Sequence, residues 1–73
     1  MDFETFKNNF ETQLEEAPET ALTQDTLFKN LPTWDSMTAL MVIDMFDADY
    51  GKTISNEHIK TCKTLGDLFE LAK

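Results

Sequence analysis

Residues 35–51, DSMTALMVIDMFDADYG, decide the fold of this chain. Asp35 is a predicted N-cap, because its carboxylate can accept a backbone N–H from the first turn of a helix and complements the helix dipole. Ser36 then lies in that first turn. Gly51 is the expected end, since glycine readily adopts the left-handed conformation that closes helices. The stretch predicts a long helix with a serine hydroxyl at its start.

This helix carries apolar residues on two faces. At about 100° per residue, one set falls within a face roughly 100° wide, which is the width of a core stripe. The set assigned to the interior is Ala39, Val42, Ile43, Phe46 and Tyr50. A second set, which we call the methionine stripe, lies broadly on the other side and consists of Met37, Met41, Met45 and Ala48, with Asp44 among them and Leu40 and Asp47 at the edge near Ser36.

The size of the chain indicates what the methionine stripe does. A domain of 73 residues buries only about 60% of its unfolded surface and rarely covers both sides of one helix. We therefore expect the methionine stripe to be partly exposed, where flexible, polarizable side chains suit a surface that adapts to partners. In the alternative, Met41 and Met45 fill gaps in the core.

A first helix is predicted from apolar residues that share one face. They are Phe3, Phe6, Phe10 and Leu14. Asp2 caps its start, and it ends near residues 16–17, since Pro18 disfavours helical geometry in the residue before it. The loop that follows, up to residue 34, is unusually long for a compact domain, and such loops are often functional. A single helical turn is expected around residues 24–29. Four apolar side chains are expected to pin the loop across the helices: Leu22, Leu27, Phe28 and Leu31.

Two N-terminal signatures place the remaining helices. Ser55 as an N-cap, with Ile54 and Ile59 as a hydrophobic staple, predicts a short third helix. Thr64, with Asp67 three residues on, predicts the start of a fourth. The apolar face of the fourth helix is Leu65, Leu68, Phe69 and Ala72. No strand pattern competes, so the expected fold is all-α: a single domain over residues 1–73, a small four-helix bundle with a long first loop and a short third helix.

Charge and composition limit the functions open to the chain. Fourteen acidic residues against six lysines, without arginine, give a net charge of −8. This argues against nucleic-acid binding, because phosphate contacts rely on clustered Lys and Arg. Excess negative charge aids solubility and also steers in partners with basic surfaces. No run approaches the ~18 apolar residues of a membrane span, and the N-terminus lacks the basic-then-apolar layout of a signal peptide. We expect a cytoplasmic monomer.

Several candidate motifs do not meet the requirements of a metal site or of a catalytic site. Residues 47–51, DADYG, are similar to the start of a calcium loop, but the glycine comes one position early and His58 stands where the final glutamate belongs. His58 and Cys62 alone do not make a metal site. A triad of Ser36, His58 and an aspartate lacks the glycine-flanked turn that presents a nucleophile. We therefore expect neither a metal site nor an enzyme.

What remains is a serine at a helix start, with an acid before it and the methionine stripe after it. Here the chain resembles the acyl carrier protein and peptidyl carrier protein family, whose Asp-Ser-Leu signature stands where this chain has Asp35-Ser36-Met37. The resemblance continues through residues 50–54, YGKTI, and residues 64–68, TLGDL. It covers essentially the whole chain, including the long first loop, the short third helix and the acidic balance.

The resemblance implies that Ser36 receives 4′-phosphopantetheine from coenzyme A, through a phosphodiester formed by a separate phosphopantetheinyl transferase. The thiol of that arm then holds acyl or aminoacyl groups as thioesters, so Cys62 is not the reactive thiol. A helix start suits the attached phosphate, since backbone N–H groups and the dipole favour an anion there. Enzymes that load and process the cargo are implied to present basic patches to the second helix. The predicted contact residues are Asp35, Met37, Leu40, Met41, Asp44, Met45 and Asp47.

Two departures from the housekeeping fatty-acid carriers favour a specialised pathway, of polyketide, lipopolysaccharide or aminoacyl type, while fatty acid biosynthesis stays open. The second helix has Thr38, Met41 and Ala48 where acids are expected. Trp34 precedes the signature where glycine is common in those carriers.

The sequence also leaves open which cargo is carried and whether the chain is a carrier or an adaptor. If the core opens between the second and third helices, a fatty chain would be sheltered there, whereas aminoacyl cargo needs no such cavity. The residues expected to line this cavity are Ile43, Phe46, Ile54 and Ile59. The competing class is a small helical adaptor that binds a partner helix through the methionine stripe and leaves Ser36 unmodified.

Overall fold

The computed structural model describes residues 2–14, 18 and 21–73, and within these residues the chain is helical, without strands. It contains four α-helices and one 3₁₀ turn, which are α1 (Phe3–Glu11), the 3₁₀ turn (Phe28–Asn30), α2 (Ser36–Tyr50), α3 (Asn56–Thr61) and α4 (Leu65–Ala72). The all-α bundle with a long first loop and a short third helix is confirmed.

Each α-helix begins at the cap that the sequence predicted. The Asp2 carboxylate accepts the N–H of Thr5 at 2.9 Å, and Asp35 does the same for Thr38 at 2.8 Å. The hydroxyl of Thr64 accepts the N–H of Asp67 at 3.2 Å. In α3, which follows Ser55 as predicted, the histidine three residues after the cap accepts the cap's own N–H. These bonds satisfy donors that lack a partner inside the helix.

The end of α1 differs from the prediction. The helix ends at Glu11, and the expected end at residues 16–17 lies outside the described residues. After Glu11 the N–H groups of Gln13 and Leu14 bond to carbonyls three residues back instead of four. The chain therefore continues as tight turns, which keep Leu14 in the core with 9% of its surface exposed.

Aromatic side chains fill the centre of the bundle. Phe6 of α1 contacts both Phe46 of α2 and Phe69 of α4, with ring centroids 5.8 and 5.6 Å apart. The Phe46 contact is edge-to-face, an arrangement that adds about 0.5–1.5 kcal/mol beyond the burial of area. Closer to the loop, Phe28 packs edge-on against Trp34 at 5.0 Å. These contacts connect α1, α2, α4 and the loop through one core.

The long loop is pinned by fewer apolar residues than expected, and also by backbone bonds. Leu22 and Phe28 are buried, but Leu27 is 51% exposed, so its predicted anchoring role is wrong. The physical reason is that the helical turn lies at Phe28–Asn30 and not across residues 24–29, which directs Phe28 inward and leaves Leu27 outside. The first N–H groups of α4 hold the loop as well: Leu65 donates to the carbonyl of Thr26 at 2.8 Å, and Gly66 to that of Gln24 at 2.9 Å.

Candidate functional site

Ser36 is the first residue of α2, and its side chain is exposed. Asp35, the preceding cap, accepts the N–H of Thr38, and this bond lowers the pKa of the Asp35 carboxyl. The carboxylate therefore stays ionised at neutral pH beside the serine. As predicted, a hydroxyl and an anionic cap share an exposed helix start.

A second bond fixes this helix start from inside. The hydroxyl of Thr38 donates to the carbonyl of Thr33 at 3.2 Å, and only 2% of Thr38 is exposed. The sequence prediction missed this residue because threonine was counted as polar. The signal was present, since Thr38, Val42 and Met45 recur at helical spacing. The two hydrogen bonds to Thr38 together fix the first turn of α2 against the loop.

The core face of α2 is rotated toward Met45 relative to the prediction. Val42 and Phe46 are fully buried, and Ala39, Ile43 and Tyr50 are partly buried against the core, as expected. Met45, however, is only 4% exposed. The prediction that it belongs to an exposed surface is therefore wrong, because the buried stripe that includes Thr38 extends onto it.

The exposed apolar surface next to Ser36 is made of three side chains. Met37 is 63% exposed, Leu40 53% and Met41 38%. Asp44 and Asp47 are exposed on the same helix. The methionine stripe is thus confirmed as partly exposed for Met37 and Met41, with Leu40 beside them.

Ser36 lines an open groove of about 690 Å³. One wall comes from the loop and the cap, the second from α2 and the third from α3. The loop and the cap contribute Lys29, Trp34 and Asp35. Helix α2 contributes Ser36, Ala39 and Leu40, and α3 contributes Asn56, Ile59 and Lys60.

The groove differs from the predicted cavity. Of the expected residues Ile43, Phe46, Ile54 and Ile59, only Ile59 lines it. Phe46 has no exposed surface, because Phe6 and Tyr50 pack against its ring. The predicted cavity depends on the core opening around a cargo, so it stays a prediction; the groove lies one turn nearer to Ser36.

The titratable groups of α3 and its flanks have structural roles. The exposed His58 ring accepts the N–H of Ser55 through Nδ1 at 3.1 Å. Cys62 is buried, and burial raises the pKa of its thiol, which disfavours the reactive thiolate. Among the described residues, no three acidic, histidine or cysteine side chains lie together in a way that could hold a metal ion. Likewise, no described helix is long and apolar enough to cross a membrane.

The fold is that of an acyl carrier protein. The structure matches the solution NMR structure of a holo acyl carrier protein from Geobacter metallireducens with a TM-score of 0.76. The two chains are 20% identical, and the match covers 94% of this chain and 78% of that one. No protein-family model matches the sequence, and no curated protein matches it. The likeness establishes the fold.

Proposed function

We propose that this chain is a carrier and not an enzyme, and that Ser36 carries 4′-phosphopantetheine. The observation that carries the proposal is the exposed hydroxyl of Ser36 at the first position of α2, open to a groove, in a fold shared with a holo acyl carrier protein. When bound, the arm supplies a terminal thiol that holds acyl or aminoacyl groups as thioesters.

The residues around Ser36 fit such a group. The first N–H groups of a helix have no partner inside it, and here that of Thr38 bonds to the Asp35 carboxylate, on which that of Met37 also acts. The remaining donors and the helix dipole favour a phosphate on the serine. The groove beside Ser36 has apolar side chains, Trp34 and Leu40 among them, against which an extended arm can lie.

Ser36 acts as the acceptor in the attachment step. Its oxygen bonds to the phosphorus on the pantetheine side of coenzyme A, the pyrophosphate bond breaks, and adenosine 3′,5′-bisphosphate leaves. The hydroxyl proton goes to a base that the transferase supplies.

The partner surface we propose joins the exposed apolar residues of α2 to its carboxylates. Met37, Leu40 and Met41 form the apolar part, and Asp35, Asp44 and Asp47 are the charges that attract basic patches on loading and processing enzymes. Compared with housekeeping fatty-acid carriers, this surface is more apolar and less acidic. That favours a dedicated carrier of polyketide, lipopolysaccharide or aminoacyl type over standard fatty acid biosynthesis.

Attachment is tested by intact mass. Incubation with coenzyme A and a promiscuous phosphopantetheinyl transferase should add one phosphopantetheine to the wild type and none to Ser36→Ala. Ser55→Ala is the matched control, because Ser55 is the other serine of the chain and lies at the start of α3; this variant should gain the full mass. An unchanged wild-type mass with several transferases would refute the carrier function.

The exposed apolar residues also favour a second candidate, an adaptor that binds an amphipathic helix of a partner. In this case Ser36 stays unmodified and Ser36→Ala retains the partner, whereas Met41→Gln loses it. The mass measurement decides between the two functions.

A further inference from the structure

Positive charge is scarce in this chain, and a third of it lines the groove. The chain has six lysines and a net charge of −8, yet Lys29 and Lys60 both line the groove beside Ser36. Asp35 is the one carboxylate among the lining residues. Among the residues that line the groove, lysines therefore outnumber carboxylates, although the molecule as a whole is negatively charged.

Lys29 is held in place with one donor to spare. Its Nζ donates to the carbonyl of Ile59 at 3.2 Å and to that of Lys60 at 3.1 Å. These carbonyls belong to the last turn of α3, where a cation is favoured by the helix dipole. An ammonium group has three donors, so two bonds fix its position and the third remains for another acceptor.

Lys60 adds a second, adjustable charge. Its ammonium lies 3.8 Å from the Glu57 carboxylate, with 73% of the lysine side chain and 82% of the glutamate side chain exposed. A pair this exposed is worth little, so Lys60 is free to turn toward an anion in the groove. Asp35 opposes the two lysines with one negative charge, so the charged residues that line the groove still carry an excess of one positive charge.

We propose that Lys29 and Lys60 form an anion-binding subsite in the groove beside Ser36. This inference rests on the proposed attachment at Ser36. The anion is either the phosphodiester of the arm or a carboxylate at the free end of the cargo, and both make the same charge-assisted hydrogen bonds to ammonium groups. Leu40 and Ile59 line the same groove and provide the apolar surface for the rest of the arm.

The test compares melting temperatures of four forms at low ionic strength: unmodified, holo, malonyl-loaded and acetoacetyl-loaded. The loaded forms are made by the transferase from the corresponding acyl-coenzyme A, and intact mass confirms each one, so a failed attachment is seen separately. Malonyl and acetoacetyl groups have nearly the same shape, but only the malonyl group ends in a carboxylate. The variants are Lys29→Gln and Lys60→Gln, with Lys52→Gln as the control, an exposed lysine outside the groove lining.

If the cargo supplies the anion, the malonyl form melts about 2–4 °C above the acetoacetyl form, the size expected of one exposed charge pair in a domain this small. That difference is lost in both groove variants, is kept in Lys52→Gln and falls with added salt. If the phosphodiester supplies the anion, the lysine-dependent difference lies between the unmodified and holo forms instead. Lys60→Gln keeps the test valid even if Lys29→Gln unfolds, because Lys60 is exposed. If neither difference depends on the groove lysines, the subsite is refuted.

Discussion

Replacing Gly66 by alanine tests whether the long loop is held by α4. Gly66 lies in the first turn of α4, where helix propensity alone favours alanine by about 1 kcal/mol. The structure predicts instead that alanine destabilises the protein. A Cβ at this position would lie 2.9 Å from the carbonyl oxygen of Gln24, which is too close without a backbone shift, and 3.2 Å from the Cβ of Gln24, which is a tight contact.

The magnitude follows from the contacts that such a shift affects. Crowding of this kind costs about 1–3 kcal/mol. It also weakens the bonds from Gly66 to Gln24 and from Leu65 to Thr26, which contribute about 0.5–1.5 kcal/mol each. With the helix gain subtracted, Gly66→Ala should destabilise the protein by about 1–3 kcal/mol and lower the melting temperature by roughly 5–15 °C.

The assay is thermal unfolding followed by circular dichroism, combined with hydrogen exchange of the Leu65 amide, which should lose protection in Gly66→Ala. Gly51→Ala is the matched control. Gly51 has a φ of 63° and no atom within 4 Å of an added Cβ, so its cost of about 1–2 kcal/mol comes from backbone strain alone. That variant should leave Leu65 protected. A Gly66→Ala protein as stable as the wild type, with Leu65 still protected, would refute the reasoning.

Two further predictions concern the loop and the last cap. Phe28→Ala should destabilise the protein by about 3–5 kcal/mol, because the ring has no exposed surface. Leu27→Ala should change the stability little, since that side chain is 51% exposed. Urea unfolding of both variants measures the difference in stability, and equal effects would contradict the prediction. The N–H groups of Lys63 and Thr64 lower the pKa of the Asp67 carboxyl, so its contribution is present above the unfolded pKa of about 3.9 and is lost as the pH falls through the lower folded value. The stability advantage of the wild type over Asp67→Asn should therefore shrink below about pH 4 in urea titrations, and a difference independent of pH would exclude this role.

Local signals in the sequence predicted the helix starts correctly. Asp2, Asp35, Ser55 and Thr64 each precede a helix in the structure, because a cap depends only on residues within one turn of it. The same reason explains why Ser36 was placed at the start of α2 from the sequence alone. The end of α2 at Gly51 was predictable for the same reason, because the positive φ there depends on the residue type at that one position.

The errors have a common cause, which is packing between segments distant in sequence. Whether Leu27 or Phe28 faces the core depends on where the 3₁₀ turn falls against Phe10 and Trp34. The burial of Met45 depends on what covers the adjacent side of α2. The groove beside Ser36, which the sequence did not predict, depends on how α3 meets the loop. None of these arrangements is encoded within one turn of the residue concerned.

These long-range contacts also bear on how a carrier can work. A carrier needs a fixed attachment point and a mobile arm, and the two demands fall on different parts of this molecule. The bonds that Thr38 makes to Asp35 and Thr33 fix the first turn of α2, so the root of an arm on Ser36 would be presented in one geometry. The opposite wall of the groove is the short helix α3, which Lys29 bonds to the loop and which Ile59 anchors in the core. Both walls are therefore fixed, and the motion that a carrier needs would fall to the arm itself, which could reach the third donor of Lys29 without displacing α3.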